Sequence, residues 1–257
     1  MEKIDLTRRA KLRLSVIIPA YNEHANLKRG VLAWVWDYLS DQRYSWEVII
    51  VDDGSSDDTA DLADKFAKKH EGFRVLREPH RGKGGTVIAG VLAAKGEMIL
   101  FTDMDQATPL DQLEKLLPRL NSGWDVAIGS RTGRKGAPLI RKMMAYGFML
   151  VRTIVLRLPY KDTQCGFKVF KSDAATKIFK AMMIFSEKMK AEGASVSAGF
   201  DLEILYIARK LGYKVAEVKV EWQHQEGTKV NPIKDSWEGL RDLLKVRINA
   251  ILGKYKV

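Results

Sequence analysis

Cysteine and histidine are scarce in this sequence, which has one cysteine and four histidines among 257 residues. The single cysteine, Cys165, cannot form an internal disulfide, and such scarcity is typical of proteins in a reducing compartment. The four histidines are scattered and do not show the spacing of a zinc site. The composition therefore excludes an internal disulfide and a cysteine-based metal cluster.

Long apolar runs are also missing. No window holds about 18 uncharged apolar residues, so we expect no segment that spans a bilayer. Before Leu14 there is no apolar stretch of the length that a signal peptide needs. Internal repeats, low-complexity segments and linkers between domains are absent as well. We therefore expect one cytoplasmic domain.

The charge, in contrast, is unbalanced. Lysine and arginine number 43 against 32 aspartate and glutamate, which gives a formal net charge of +11. This excess serves either solubility alone or a partner that carries phosphates, such as a nucleotide, a nucleic acid or an anionic membrane surface. Because the alternation of aromatic and basic residues typical of single-strand binding is missing, we expect no nucleic-acid partner.

Apolar, β-branched runs alternate with helical patterns in the first half of the chain. The predicted strands cover 14–19, 47–52, 73–76, 98–102 and 124–129, and the predicted helices cover 23–38, 57–70, 84–95 and 110–120. This alternation predicts an α/β protein with a mostly parallel sheet flanked by helices. In such sheets the functional site lies at the carboxyl ends of the strands.

The second half is less regular. Its patterns predict helices at 139–158, 173–190 and 201–211, strands at 168–170 and 214–222, and a basic amphipathic helix from about 236. No change of composition separates this half from the first, so both halves are expected to form the same domain.

Two carboxylates follow the predicted strand 98–102. Asp103 and Asp105 are separated only by Met104, so they repel each other and are costly to desolvate. Mg²⁺ or Mn²⁺ would make the pair favourable, because these ions bind carboxylates and take their remaining ligands from water and substrate phosphates. The alternative is a solvated acidic turn.

Other polar segments fall at the same predicted edge. Asn22 stands where it could cap the helix that follows the first strand, and Ser56 or Asp57 could cap the next helix. Capping does not explain the pair Asp52 and Asp53 at the end of the second strand. The glycine-rich segment 80–85, HRGKGG, suits an anion or the edge of a nucleotide, although it lacks the ending of a P-loop.

Eight segments in order resemble family 2 glycosyltransferases, which share the GT-A fold. The segments are VIIPAYNE, VIIVDDGSSDDT, RGKGG, LFTDMDQATP, IGSR, DTQCGFKVF, FDLEILYIARKLGYKV and VEWQHQEGTKVNP. The resemblance extends from Ser15 to about Pro232. Within the family it is most marked for the polyprenyl-phosphate hexosyltransferases, especially the dolichyl-phosphate β-glucosyltransferases.

The resemblance implies a donor site in the half 14–130. It implies that the nucleotide sugar is bound by Pro19, Ala20, Tyr21, Glu23, Asp53, Lys83 and Asp103. Asp103 and Asp105 would bind the metal ion and the diphosphate. Related mannosyltransferases carry glutamine where this chain has Ala107, and Gln106 stands one place early. The spacing is nearer to the glucosyl branch, so UDP-glucose is the expected donor and GDP-mannose the alternative.

The acceptor half is expected at 131–235, followed by a C-terminal helix at 236–257. By the resemblance, Arg131, Arg141 and Lys229 match positions that bind the acceptor phosphate. Asp201 aligns with the base of members that act on hydroxyl groups, and the alternative role for it is the cap of the helix 201–211. Cys165 is expected to be a packed small residue. An acceptor bearing a saccharide hydroxyl and a nucleotide-binding module without catalysis are the competing interpretations.

A polyprenyl-phosphate acceptor implies peripheral contact with the cytoplasmic face of a membrane. Helix 139–158 carries four cations, namely Arg141, Lys142, Arg152 and Arg157, and the apolar residues Met143, Met144, Phe148, Met149, Leu150 and Ile154. The terminal helix carries Trp237, Leu240, Leu244, Ile248 and Leu252. Both patterns fit interfacial helices, and the alternative is that these faces pack on the core.

Overall fold

A seven-stranded mixed sheet forms the centre of the protein. The computed structural model describes residues 12–131, 139–186, 198–223, 232–253 and 255, with backbone alone at 139–145, 184–186, 198 and 232–236. The strands are β1 (Leu14–Ala20), β2 (Trp46–Asp52), β3 (Phe73–Arg77), β4 (Met98–Thr102), β5 (Val126–Arg131), β6 (Phe167–Lys171) and β7 (Val215–Val220). Their order is β3-β2-β1-β4-β6-β5-β7.

All of these strands run parallel except β6, which is antiparallel to both of its neighbours. Leu14 of β1 pairs with Trp46 of β2 and with Met98 of β4, so these strands end together at one edge. Strand β6 starts at that edge, where Phe167 pairs with Thr102. The predicted α/β class with a mostly parallel sheet is therefore confirmed.

Helices cover both faces of the sheet. They are α1 (His24–Lys28), α2 (Val31–Ser40), α3 (Thr59–Ala67), α4 (Gly82–Ala93), α5 (Leu113–Asn121), α6 (Leu139–Leu156), α7 (Ser172–Ser186), α8 (Ala198–Lys210) and α9 (Pro232–Ile251). Alternate residues of β1 point to opposite cores: Ile17 packs on the side of α4 and α7–α9, and Val16 on the side of α2, α3 and α5. This burial on both faces explains the nearly continuous apolar runs.

Several helix boundaries differ from the sequence prediction. The predicted helix 23–38 is two helices, because Gly30 between α1 and α2 has φ 82°. The segment predicted as helix 110–120 begins with a 3₁₀ turn at Leu110–Gln112. Helix α8 begins at Ala198 rather than at residue 201, so Asp201 lies inside its first turn and the predicted capping role is wrong.

The predicted membrane-facing side of helix α6 also needs correction. Phe148 is half-buried against α9, where a Cβ atom added to Gly239 would lie 3.3 Å from its ring. Arg152 is buried and donates hydrogen bonds to Thr163 Oγ1 and to the carbonyl of Tyr160, so it ties α6 to the following loop. Among the described side chains of α6, the exposed apolar residues are Tyr146, Leu150, Val151 and Ile154, so the prediction is confirmed for Leu150 and Ile154. The side chains of Met143 and Met144 lie outside the described part of the helix. No helix in the described ranges is long and apolar enough to cross a bilayer.

Candidate active site at the carboxyl edge of the sheet

The turn after β4 holds Asp103 and Asp105 in fixed positions. Asp105 Oδ1 accepts the N–H of Ala107 at 2.9 Å, and its carbonyl accepts Arg29 Nη2 at 3.2 Å. Gln106, with φ 49°, donates its side-chain amide to the carbonyl of Asp103 at 2.8 Å. These hydrogen bonds fix the backbone of the turn and the amide of Gln106. Carboxylate oxygens of the turn remain available to a ligand.

Lys83 provides the positive charge nearest to this turn. Its Nζ lies 2.5 Å from Asp103 Oδ1, and only 18% of its side chain is exposed. Burial would lower the pKa of Lys83, but the negative charges of Asp103, Asp201 and Asp105 together raise it above the ordinary value. Lys83 is therefore a fixed cation beside Asp103, as expected from the glycine-rich segment.

Three carboxylates share this region. Burial raises the pKa of Asp105, and the neighbouring charge of Asp103 raises it further. Burial likewise raises the pKa of Glu23, to which the charges of Asp105 and Asp103 add. A divalent cation would relieve this repulsion. Among the described residues, no three metal-binding side chains lie close enough together to hold a metal ion. Two carboxylates together with a substrate diphosphate are a ligand set that suits a divalent cation.

Gly166 is a site residue that the sequence interpretation missed. A Cβ atom at this position would lie 2.0 Å from Asp103 Oδ2, which is far inside van der Waals contact. Any larger residue would therefore displace the Asp103 carboxylate from its observed position. The motif DTQCGF contains this glycine, but only the fold shows that it faces Asp103.

Asp53 organises the predicted nucleotide side. Its carboxylate accepts the N–H groups of Arg81 at 2.8 Å and Gly82 at 2.9 Å, and it lies 2.9 Å from His80 Nδ1. The His80 ring stacks on Tyr21 with ring centroids 4.2 Å apart. The structure thus brings Tyr21, Asp53 and Lys83 together, with Pro19 and Ala20 directly before them at the end of β1. His80 is the member that had not been assigned a role.

Two capping predictions have different outcomes. Asn22 does not cap α1, because its Oδ1 accepts the N–H of Ser56 at 2.9 Å and so joins the first two loops of the edge. Asp57 precedes Asp58, the N-cap residue of α3, and its Oδ1 accepts the N–H of Thr59, the first residue of the helix, at 3.0 Å. Both contacts hold the loop that follows Asp53.

Arg131, which the sequence predicts to bind the acceptor, forms a bidentate pair with Asp162. The distances are 2.6 Å from Nε to Oδ2 and 2.9 Å from Nη2 to Oδ1. Burial alone would lower the pKa of Arg131, but hydrogen bonds to Asp162 raise it above the ordinary value. The guanidinium also lies 5.8 Å from the centre of the Trp222 ring. Arg131 is therefore a permanent, oriented cation.

A buried ion pair lies behind this cation. Lys168, which is 0% exposed, places Nζ 2.5 Å from Asp201 Oδ1 and 2.5 Å from the carbonyl of Cys165. Burial raises the pKa of the Cys165 thiol, whose nearest polar contact is Thr108 Oγ1 at 3.8 Å. This environment fits a packed residue rather than a nucleophile.

The structure describes less of the other two residues predicted to bind the acceptor. Arg141 lies in the first turn of α6, where only the backbone is described, and Lys229 lies outside the described residues. A hydrogen bond joins the segment after β7 to the turn after β4, since the N–H of Gln223 donates to the carbonyl of Ala107 at 2.7 Å.

Comparisons with known sequences agree on one family, and comparisons with solved structures agree on the fold. The model of "Glycosyl transferase family 2" matches residues 15–179. The dolichyl-phosphate β-glucosyltransferase of Dictyostelium discoideum is 34% identical over 95% of this chain and 76% of that protein. Among solved structures, mannosyl-3-phosphoglycerate synthase from Rubrobacter xylanophilus has a TM-score of 0.66 at 17% identity, covering 95% of this chain and 76% of the other.

A third relative was solved with ligands. Glucosyl-3-phosphoglycerate synthase from Mycobacterium tuberculosis, in complex with Mn²⁺, UDP-glucose and phosphoglyceric acid, has a TM-score of 0.58 at 17% identity. The match covers 93% of this chain and 80% of the synthase chain. At such identities the two structural likenesses show the fold alone, and they confirm the predicted GT-A fold.

Proposed function

Because the chain belongs to glycosyl transferase family 2, we propose that it transfers glucose from UDP-glucose to a polyprenyl phosphate, with inversion at the anomeric carbon. The single observation that supports this most is the turn at the end of β4, where two half-buried carboxylates face the Lys83 ammonium. Such a turn suits a metal-bound diphosphate, and the 34% identical relative is named for dolichyl phosphate and glucose.

On the donor side, positive charge would stabilise the diphosphate leaving group. Asp103 and Asp105 would hold Mg²⁺ or Mn²⁺, which supplies positive charge to the diphosphate leaving group when it is bound. Lys83 would add a second positive charge on the same side. Pro19, Ala20, Tyr21, Glu23 and Asp53 would surround the nucleoside. The loop at 80–82 is fixed by Asp53, so this side is already organised before the donor binds.

The acceptor side would use cations rather than a base. A phosphate oxygen is already anionic near neutral pH, so it can attack without losing a proton. Arg131 would hold this phosphate together with Arg141 and Lys229. Asp201 is paired with the buried ammonium of Lys168, and protonation of Asp201 would leave that charge without its partner. This pairing favours a phosphate acceptor over a saccharide hydroxyl, which would need Asp201 as a base.

A lipid acceptor places the enzyme at a membrane. We therefore include peripheral contact with the cytoplasmic face in the proposal. The exposed apolar residues of α6 and α9 support such contact.

The donor preference is directly measurable. In calorimetry with Mn²⁺, UDP should bind at least about tenfold more tightly than GDP, because a site built for one base leaves polar groups unpaired with another. The expectation comes from the DMDQATP spacing, which differs from that of the mannosyltransferases. Equal affinities, or tighter binding of GDP, would favour a mannosyltransferase instead.

Arg131 offers a test of the acceptor side. Replacing it with alanine should raise the apparent KM for polyprenyl phosphate at least about tenfold, since a charge-assisted hydrogen bond to phosphate is lost. The affinity for UDP should change little, because Asp103 and Lys83 remain. A melting curve checks that Asp162, now without its partner, has not unfolded the protein. A parallel loss of UDP affinity would assign Arg131 to the donor side.

A further inference from the structure

Two packed helices carry apolar residues that no described element covers. On α6 these are Tyr146, Leu150 and Ile154, four residues apart, and on α9 they are Trp237, Leu244, Ile248 and Ile251. The exposed fraction is 59% for Leu150, 69% for Ile154 and 71% for Trp237. We refer to these seven residues as the α6–α9 stripe. Exposed apolar groups at regular helical spacing mark an interaction surface.

A basic pocket lies where the C-terminal ends of α6 and α8 meet α9. The cavity of about 380 Å³ is lined by four cations, Arg157, Arg209, Lys210 and Arg247, and by Val155, Leu156 and Tyr206. Arg209 Nη1 donates to the carbonyls of Arg157 at 2.8 Å and Leu156 at 3.4 Å. Lys210 Nζ donates to the carbonyl of Tyr255 at 3.0 Å.

No carboxylate in the described part of the chain forms an ion pair with any of the four cations of this pocket. Arg209 and Lys210 donate their hydrogen bonds to carbonyl oxygens. Arg157 also has φ 54° directly after α6, at a position where glycine is the usual residue. The Arg157 side chain therefore lines the pocket from a strained backbone conformation.

The pocket is separate from the active site. Asp201 lies near the start of α8 beside the catalytic edge, and Lys210 ends the same helix. Nine residues of helix span about 13 Å. The basic pocket therefore lies toward the opposite edge of the sheet and is not part of the acceptor-phosphate site around Arg131.

The exposed charges described on the two helices are cations. In the described part of α9 they are Arg241, Lys245 and Arg247, whereas Asp242 is buried and Glu238, next to Trp237, is half-buried. The sequence of α6 contains no aspartate or glutamate. Apolar side chains beside exposed cations match the surface of an anionic bilayer, which offers acyl chains beneath a layer of phosphates.

We propose that the α6–α9 stripe docks on an anionic phospholipid bilayer and that the basic pocket holds the phosphate of a lipid headgroup. The proposal rests on the proposed function in one respect, since a lipid acceptor requires a membrane surface. Its ligand is a structural phospholipid rather than the polyprenyl phosphate, and its site lies away from Arg131. The pocket would fix the enzyme's orientation on the bilayer.

Vesicle flotation at low ionic strength tests the proposal with three variants. The wild type should float with vesicles of phosphatidylcholine and phosphatidylglycerol in equal parts, and far less with phosphatidylcholine alone. The pocket variant Arg157→Gln/Arg247→Gln should lower the partition coefficient about tenfold or more. The stripe variant Leu150→Ser/Ile154→Ser should do the same, because both side chains are exposed and their loss leaves the core intact.

The matched control removes the same charge from the other face of the sheet. Lys65→Gln/Lys68→Gln changes two exposed lysines of α3 and its C-cap, on the side opposite to α8 and α9. It should lower partitioning by about twofold or less, since general electrostatic attraction is screened and diffuse. An effect equal to that of the pocket variant would overturn the assignment of a specific headgroup site.

Other outcomes reject the proposal directly. If vesicles never retain the wild type and the stripe variant instead abolishes a dimer in sedimentation velocity, the stripe binds a second copy. If inorganic phosphate protects the pocket arginines from chemical modification and vesicles do not, the pocket is a site for a free anion. UDP affinity in the presence of Mn²⁺ is measured for every variant. Docking with no transfer to polyprenyl phosphate would reject the proposed function alone.

Discussion

Asp105→Asn should lower kcat/KM by about a thousandfold, because it removes one of the two charged ligands proposed for the metal ion. The loss should be accompanied by weaker Mn²⁺ binding in the presence of UDP, measured by electron paramagnetic resonance. The matched control is Asp111→Asn, at an exposed aspartate of the same segment whose Oδ1 accepts the side-chain amide of Gln112 at 3.1 Å. That variant should keep wild-type turnover.

The stability of the same variant separates lost chemistry from lost folding. Burial raises the pKa of Asp105 above its ordinary 3.8, so the folded protein holds this proton more tightly than the unfolded chain does. The metal-free fold therefore loses stability as the pH rises from 3.8 through the raised pKa. Asparagine carries no charge, so Asp105→Asn should melt no lower than the wild type at neutral pH without metal. Near-wild-type turnover of Asp105→Asn, or of the wild type in EDTA, would exclude the metal site.

Lys168→Met should lower the free energy of unfolding by about 3–5 kcal/mol, because it leaves the Asp201 carboxylate buried without its counter-charge. The two atoms of this pair are 2.5 Å apart, and the side chain of Lys168 is fully inaccessible to solvent. The ammonium also lies 5.2 Å from the centre of the Phe101 ring, so its removal leaves a poorly filled space beside an aromatic residue. Chemical denaturation measures the change.

A second variant identifies the cause. Lys168→Met/Asp201→Leu removes both charges, and it should recover most of the lost stability because apolar groups replace a desolvated ion pair. The exposed pair Lys177 and Asp173 supplies the matched control, with Nζ 3.1 Å from Oδ2. Lys177→Met should leave the denaturation midpoint nearly unchanged. Equal midpoints for Lys168→Met and Lys177→Met would show that the buried pair contributes nothing to the fold.

The strands were predictable because their physical signal is local. Both faces of the sheet are covered, so each strand is an apolar run that ends where polar residues begin, as at Thr102 and Asp103. The reversed direction of β6 has no such signal, since it depends on pairing with β4 and β5. The break at Gly30 did have one, because a glycine inside a helical pattern is a possible boundary.

The site was predictable where residues follow strand ends. Parallel strands bring their carboxyl ends to one edge of the sheet. The sequence alone therefore predicts that Asp53 and Asp103, which follow two such strands, lie at the same edge. Local capping, which the sequence left open for Asn22 and Asp201, is not what these residues do. Their partners, Ser56 and Lys168, are 34 and 33 residues away in the sequence. Helical periodicity likewise shows that α6 is amphipathic, but only its contact with Gly239 shows that Phe148 faces inward.

The central claim is that this chain forms a glucosyl phosphate ester on a polyprenyl carrier. The most direct measurement is mass spectrometry of the lipid product formed from UDP-glucose, polyprenyl phosphate and Mn²⁺, with the anomeric configuration determined by nuclear magnetic resonance. We predict one added hexose in β linkage, with UDP released in equal amount, and no product from the Asp105→Asn variant. UDP release without a glycosylated lipid, or a product that retains the α configuration of the donor, would contradict the account.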